Sequence, residues 1–566
     1  MHRSSVTHFF GTHGRASLFQ RMNTPLLFGL TAIGGVLLPL LLYGLLPALG
    51  VEAPAGWLSV DRLVLLVLGL LGLLTYGVLF RYVWQQPVSL LYWLVLLWVP
   101  VEYGRTFLLN NVGVNLDYRV LMLLFLPPVA LALGGRYAAT LLKRCAYLLP
   151  LGAFVLLTAW YFVFFNINMV NPIQALGNSS FGGSIALNFA SAMVYSWVGA
   201  MVGILALRGS DRPVETFHRF NRWLVVGVLL ESVLSIVAYP AFVMNIDGFQ
   251  RLAGILPHPN MWVHHLGLLL LYLTGLFLYN HCQENPPGQL QAPSTQPTGW
   301  LLLALLAGSV SFLLGLSKTG IALLAVSLLL LLGLSMLVVP SIRRRGWSVL
   351  LLLGLLIPVG WVAYPILTGE SLLKMLEARL EDTSSMEWRM NLWQNLLANL
   401  DASSFLWGKG LTACNEWIFQ LTYDNGNSFK PLILPHNGYL QLLYDFGLLG
   451  LLYFAAIGVL VWQTAQRGIF SAKQPPAERI LAVTLVAMVV YFLGVLAFDE
   501  MLVMFNAPFL FWTLSSLLFA RLLCPKPPQR HPYPSASSSS SLNLYSSVHA
   551  TSGAPSHTNP MRGILQ

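Results

Sequence analysis

The chain has 566 residues, 56% hydrophobic and only 9% charged, with a net charge of +10 and a mean hydropathy of +0.68. A soluble domain carries about 25% charged residues, so this composition excludes a chain that faces water over most of its surface. The basic surplus is read as cations retained in loops on one side of a membrane, and not as a nucleic-acid footprint.

About 20 apolar residues cross a bilayer as a helix, and helices satisfy every backbone polar group where water is absent. The expected fold class is therefore an all-α polytopic membrane protein of about fourteen (12–14) transmembrane helices. In chain order the spans are expected at 25–49, 62–82, 87–101, 119–135, 145–165, 184–207, 223–244, 261–280, 299–316, 320–339, 347–367, 438–462, 479–498 and 502–523. The third and fourth are short, and Pro127-Pro128 breaks the fourth, so that pair also reads as re-entrant. The polar, Arg-containing start runs into a first apolar stretch long enough to remain as a span, so a cleavable signal is not expected.

With an even number of spans and the N-terminus inside, 21 of the 31 Lys and Arg fall in inner segments and ten in outer ones. Five of those ten lie in one long loop, where the charge rule loses force. The expected organisation is a cytoplasmic N-terminus (1–24) and a membrane domain (25–367, about 11 spans) with a cytoplasmic linker at 281–298. A large extracytoplasmic loop (368–436), C-terminal spans (437–523) and a disordered cytoplasmic tail (524–566) follow. Cys145, Cys282 and Cys524 fall inside or near it and Cys414 outside, so no structural disulfide is expected.

Loops beyond about 12–15 residues are uncommon without a function. The long outer loop has apolar residues at helical spacing in Ser371–Leu380 and again in Trp388–Leu400, which predicts two short amphipathic helices on the membrane surface. Gly408-Lys409-Gly410 then marks a turn. The loop ends in Pro435-His436-Asn437, and Gly447 and Gly450 follow in the next span as packing glycines.

His-Asn, nine residues, Gly, two residues and Gly at the start of a late span resembles the signature of the O-antigen ligase and polysaccharide polymerase superfamily. The likeness extends to Arg389 ahead of Trp393, to Gly408-Lys409-Gly410, to Arg251-Leu252-Ala253-Gly254 with Pro259-Asn260, and to Ser317-Lys318. Together these occupy residues 251–450 in the family's order. The sequence departs from many ligase-type members in having Lys318 where they carry Arg, which keeps the charge but loses the bidentate fork. Exopolysaccharide polymerases share that feature, which favours a polymerase.

The resemblance implies a GT-C-like membrane glycosyltransferase of the bacterial inner membrane, its active site facing the periplasm or exterior. The donor would be a polyprenyl-diphosphate-linked glycan, and the acceptor a growing chain or a lipid core. The reaction would be inverting and metal-independent, with no cofactor, and membrane lipid would be the other partner.

In that reading His436 is the candidate general base, because neutral imidazole takes a proton near pH 7. The bland alternative is an interfacial His anchoring a helix. Arg389 is the candidate for stabilising the departing diphosphate, against a solvated surface charge. Lys318 and Arg251 are candidate diphosphate or acceptor contacts. An interfacial Lys at 318 and an ordinary loop Arg at 251 are the alternatives. Asn437 either orients His436 or caps the next helix, and Asp445 orients a sugar or His436.

His258, His264 and His265 are read as anchors or polar contacts ahead of metal ligands. Glu231 is read as functional or as quietly paired with Ser232 or Ser235. Asp499 and Glu500 are expected to be solvated in a short outer turn. Within the family, polymerase and ligase share these residues. The rival class is a transporter or lipid-linked glycan flippase, which would favour charged pairs at the membrane midplane.

Overall fold

The computed structural model describes residues 143–164, 181–208, 210, 212–237, 239–246, 249–254, 256, 258–282, 298–343, 365–366, 371, 384–424, 435–499, 501–502 and 506–524. The spans expected at 25–49, 62–82, 87–101 and 119–135, nearly all of 347–367, the amphipathic stretch at 371–380, the middle of the linker and the tail from 525 lie outside them.

The described chain is almost wholly helical. α1 is Leu148–Phe164, α2 Phe181–Arg208, α3 Pro213–Val237, and α4 the single turn Tyr239–Phe242. A hairpin of β1 (Val243–Ile246) and β2 (Phe249–Leu252) leads to α5 (Pro259–Cys282), α6 (Thr298–Leu314) and α7 (Lys318–Val338). The outer loop forms α8 (Ser384–Ala398), α9 (Ala402–Trp407) and α10 (Ala413–Asp424). The chain returns as α11 (Gly438–Phe446), a 3-10 turn at Gly447–Gly450, α12 (Leu451–Thr464) and a π-helical turn at Ala465–Ile469. α13 (Pro476–Phe498) and α14 (Asn506–Leu522) end the described chain.

Six of these helical segments are long and apolar enough to cross a membrane, and α1, α6 and α14 are shorter apolar helices. The chain is a multi-pass membrane protein. Its nine apolar helical segments coincide with the spans expected over those residues, within a few positions at most ends.

Two expectations need correction. The span expected at 223–244 begins earlier and stops at Val237. The expected all-α chain also carries a small sheet, in which Met244 pairs with Arg251 and Ile246 with Phe249. Pro240 is the physical reason for the early stop, because a proline lacks the N–H that would carry α3 onward.

Lipid is as apolar as leucine, so small residues that admit close contact drive helix association in a membrane. At Gly267 and Gly275 of α5 a Cβ would run into Tyr491 and Thr484 of α13, and at Gly199 and Gly203 of α2 into Phe509 and Thr513 of α14. α5 is consequently the central helix, with 89% of its most apolar window buried against 28% for α7.

The loop helices have their own small core. Leu392 and Leu396 of α8 pack with Ala413, Cys414 and Ile418 of α10 and Tyr444 of α11. The stretch 408–410 docks on the end of α11, with Lys409 N donating to Tyr444 O at 2.8 Å and Gly410 N to Asp445 O at 3.1 Å. Gly408 (φ 77°) and Gly447 (φ 59°) meet here, each with neighbouring backbone where a Cβ would stand. Only glycine tolerates both the conformation and the contact. The paired glycine motifs of the sequence are two sides of one joint.

Candidate functional site

Three loop-to-helix transitions meet at one end of the bundle. β2 carries Arg251, which is buried and points its guanidinium two ways. Nη2 donates to Asn260 Oδ1 at 2.6 Å, at the start of α5, and Nε donates to Gly315 O at 3.1 Å, between α6 and α7. Gly254 lies against the Trp262 ring, and Gly315 and Gly320 lie against Val263. The Arg-x-x-Gly, Pro-Asn and Ser-Lys segments, separate in sequence, are therefore one packed junction.

Leu316, just before Ser317, has φ 50°, a left-handed conformation costly for a side chain with a Cβ. Ser317 caps α7 by accepting from Gly320 N at 3.3 Å, and Lys318 is exposed in the first helical turn. A cation there opposes the positive end of the helix dipole.

His436 and Asn437 form the second element. Asn437 Oδ1 accepts from Tyr439 N and Leu440 N at 3.0 Å each and so caps α11. His436 has φ 48°, a strained setting of the kind that persists where neighbours over-determine it. The indole of Trp393 donates to Pro435 O at 2.8 Å, and the Trp388 ring stands edge-on to the imidazole with centroids 6.0 Å apart. α8 thus grips the segment that presents His436.

The end of α13 supplies the third element, and here the sequence reading needs correction. Asp499 is buried, 4% exposed, where a solvated turn was expected. His264 Nε2 donates to Asp499 Oδ2 at 3.0 Å, and His436 Nδ1 lies 3.9 Å from Asp499 Oδ1. Burial opposes the charge, but the imidazoles of His264 and His436 outweigh it and hold the Asp499 carboxyl well below the usual carboxylate range.

His258 belongs to the same field. Burial lowers its pKa; Asp499 works against that, while Arg251, His436 and His264 add to it. Its Nδ1 accepts from Asn260 N at 3.2 Å, as the neutral ring does. Arg389, half-buried on α8, donates from Nη1 to Phe498 O at 3.3 Å, the residue before Asp499.

Of the six expected residues the geometry thus gathers His436, Arg389, Arg251 and Asn437, sets Lys318 on the exposed first turn of α7 beside the Arg251 junction, and leaves Asp445 elsewhere; it adds Asp499, His264 and His258. Asp445 is fully buried in α11, and its oxygens accept from Thr412 N at 3.1 Å and Cys414 N at 2.9 Å. It secures the turn into α10, where Thr412 has φ 66°, and its two oxygens are engaged there.

His264 and His265 are buried polar contacts and not surface anchors. His265 faces Glu231 at 3.3 Å to each carboxylate oxygen and stacks on Trp262. Glu231 therefore pairs with an imidazole on α5, and not with the serines beside it. In sequence, Asp499 looked like any acid in a short turn. The only hint was that it ends an apolar span at the same depth as the other site residues.

The family model for O-antigen ligase matches residues 302–455. That stretch holds Lys318, Arg389, His436, Asn437, Asp445 and both glycine motifs, and it omits Arg251, His258, His264 and Asp499. No curated protein matches the chain.

Proposed function

We propose that the chain, whose residues 302–455 match the family model for O-antigen ligase, works in cell-surface polysaccharide assembly as a polymerase joining lipid-linked glycan repeats. The observation that carries this reading is the convergence of a histidine–carboxylate pair with a cationic residue at the loop end of the membrane helices. The donor in this reading is a glycan on a polyprenyl diphosphate, and the acceptor is the terminal sugar hydroxyl of another chain.

His436 takes the proton of that hydroxyl. The hydroxyl oxygen attacks the anomeric carbon from the face opposite the diphosphate, and the bond from that carbon to the diphosphate oxygen breaks with inversion. Asp499 steadies the imidazolium that forms, and His264 holds Asp499 in place. The leaving diphosphate gathers negative charge, which Arg389 and Lys318 offset. Lys318 adds positive charge to the first turn of α7, an end of a helix that favours an anion such as a diphosphate. Arg251 braces the junction from which Lys318 projects, and Asn437 fixes the start of α11, so both act through position.

In this reading the loop helices α8–α10 face the exterior or periplasm, the protein sits in the bacterial inner membrane, and the reaction needs no metal. A ligase acting on a lipid core would use the same residues. Lys318 in place of Arg is what favours the polymerase. The decisive experiment supplies purified, reconstituted protein with one polyprenyl-diphosphate glycan and a chelator. A ladder of lengthened lipid-linked glycan is the expected product. Transfer only when a lipid-core acceptor is added would make it a ligase, and glycan movement across the bilayer without new bonds would make it a transporter.

A further inference from the structure

The other end of the bundle also carries a concentration of charge. α11 starts at the site, α12 follows it into the π-helical turn, and α13 starts beyond that turn and returns to Asp499. The start of α1 and the ends of α2 and α14 lie with them, because Arg467 Nη1 donates to Arg144 O at 2.7 Å and Arg208 Nη2 donates to Leu523 O at 3.1 Å.

Arg144, Arg208 and Arg467 surround one small thiol. Burial pushes the Cys145 thiol up to about 11, and the fields of Arg208, Arg467 and Arg144 all act on it in the opposite sense. Arg467 also lies over the Phe519 ring, 5.5 Å from its centroid. Arg208 and Arg467 bond main-chain carbonyls, and Arg467 also covers an aromatic face; such contacts fix a guanidinium without cancelling its charge.

The carboxylates described at this end are engaged elsewhere. Glu478 binds Arg521 at 2.5 Å, and Glu215 binds Arg212 at 3.3 Å and Arg219 at 3.0 Å. Three positive charges within reach of one thiol repel one another, and an anion among them offsets that repulsion. Arg467 is held on a π-helical turn, a distortion that recurs at functional sites. Near it in the chain Trp462 and Phe470 are 63% and 79% exposed, and Leu149, close in the chain to Arg144, is 55% exposed. Exposed aromatics beside basic residues at the end of membrane helices belong at the headgroup level of a bilayer.

We infer that Arg144, Arg208 and Arg467 bind the phosphate of an anionic phospholipid in the leaflet at this end, with Leu149, Trp462 and Phe470 against its glycerol and acyl chains. The phosphate accepts from the Arg208 and Arg467 guanidiniums, which the protein's own carbonyls already orient, so little of their side-chain freedom is lost on binding. A free phosphate ion would satisfy the charges but would leave the apolar rim uncovered.

Native mass spectrometry of the full chain tests this, using mixed micelles with equimolar phosphatidylglycerol and phosphatidylcholine. The protein should keep phosphatidylglycerol about 100-fold in preference, three cations contributing about fivefold each. Arg144→Gln should cut that preference about fivefold, since each cation near a membrane surface is worth about one such factor. The Arg144 side chain is exposed, so this variant should fold even if the triple Gln variant does not. A triple Lys variant should retain most of the preference. Equal retention of the two lipids, or an Arg144→Gln variant like the parent, overturns the proposal. Displacement of the lipid by millimolar inorganic phosphate would assign the site to a soluble anion instead, and would overturn it too.

Discussion

Asp445 and Asp499 are both buried carboxylates toward the loop end of the helices, yet their oxygens face different partners. Asp445 accepts from two backbone amides, Thr412 N and Cys414 N. Asp499 faces two imidazoles, His264 at 3.0 Å and His436 at 3.9 Å. A backbone amide keeps its proton at every accessible pH, so the partners of Asp445 hold a shape and take up no proton. An imidazole trades its proton near neutrality, so the Asp499 arrangement can follow a reaction. Burial alone does not separate a structural acid from a working one; the partner does.

After His436, Arg389 gives the largest expected effect, because it lies beside the Asp499 region and not the Asp445 turn. Arg389→Ala should lower glycan transfer by about 10²–10³-fold with normal accumulation in the membrane, the size usual for losing one stabiliser of developing charge. Arg389→Lys should recover only part, since a point charge does not reproduce the guanidinium fork. Product yield per mole of purified protein checks both, and a parental yield from Arg389→Ala would remove it from the site.

Asp499→Asn comes next. Loss of a group that orients a working imidazole should lower kcat by about 10–100-fold while KM moves little. The same change carries a pH signature. A carboxyl held below its ordinary range contributes stability that is complete above about pH 4 and is lost as the pH falls towards its folded value. The parent should therefore lose stability on the acid side of about pH 4 more steeply than Asp499→Asn, as measured by unfolding midpoints across that range. Parallel acid profiles would mean that Asp499 is not held as a paired anion.

The smallest effect on chemistry belongs to Asp445→Asn. The amide group turns a donor towards one of two backbone N–H groups, which costs about 1–3 kcal/mol of stability. The unfolding midpoint should fall, while turnover per folded molecule stays near the parent's. Loss of turnover without loss of stability would erase the contrast between the two acids.

Much of this division was legible in the sequence, for identifiable reasons. Long apolar runs have one economical solution in lipid, so the described spans follow from composition. The glycines at 408, 410 and 447 and the cap at Asn437 are local backbone requirements that leave a residue-type signature. Asp499 was not legible, because its role is created by His264 and His436, 235 and 63 residues away in the chain. Asp445 misled for the opposite reason. It follows His436 by nine residues, but the helix begun at Gly438 carries it to the turn at Thr412.

The central claim is that His436 removes the acceptor proton, and His436→Gln tests it most directly. Glutamine keeps much of the size and some of the hydrogen bonding but takes no proton near neutral pH. With purified, reconstituted protein, a polyprenyl-diphosphate glycan and a sugar acceptor, product formation should fall by about 10²–10⁴-fold, while donor binding stays near the parent's. A His436→Gln protein that turns over at nearly the parental rate would contradict the account and leave His436 as a helix anchor.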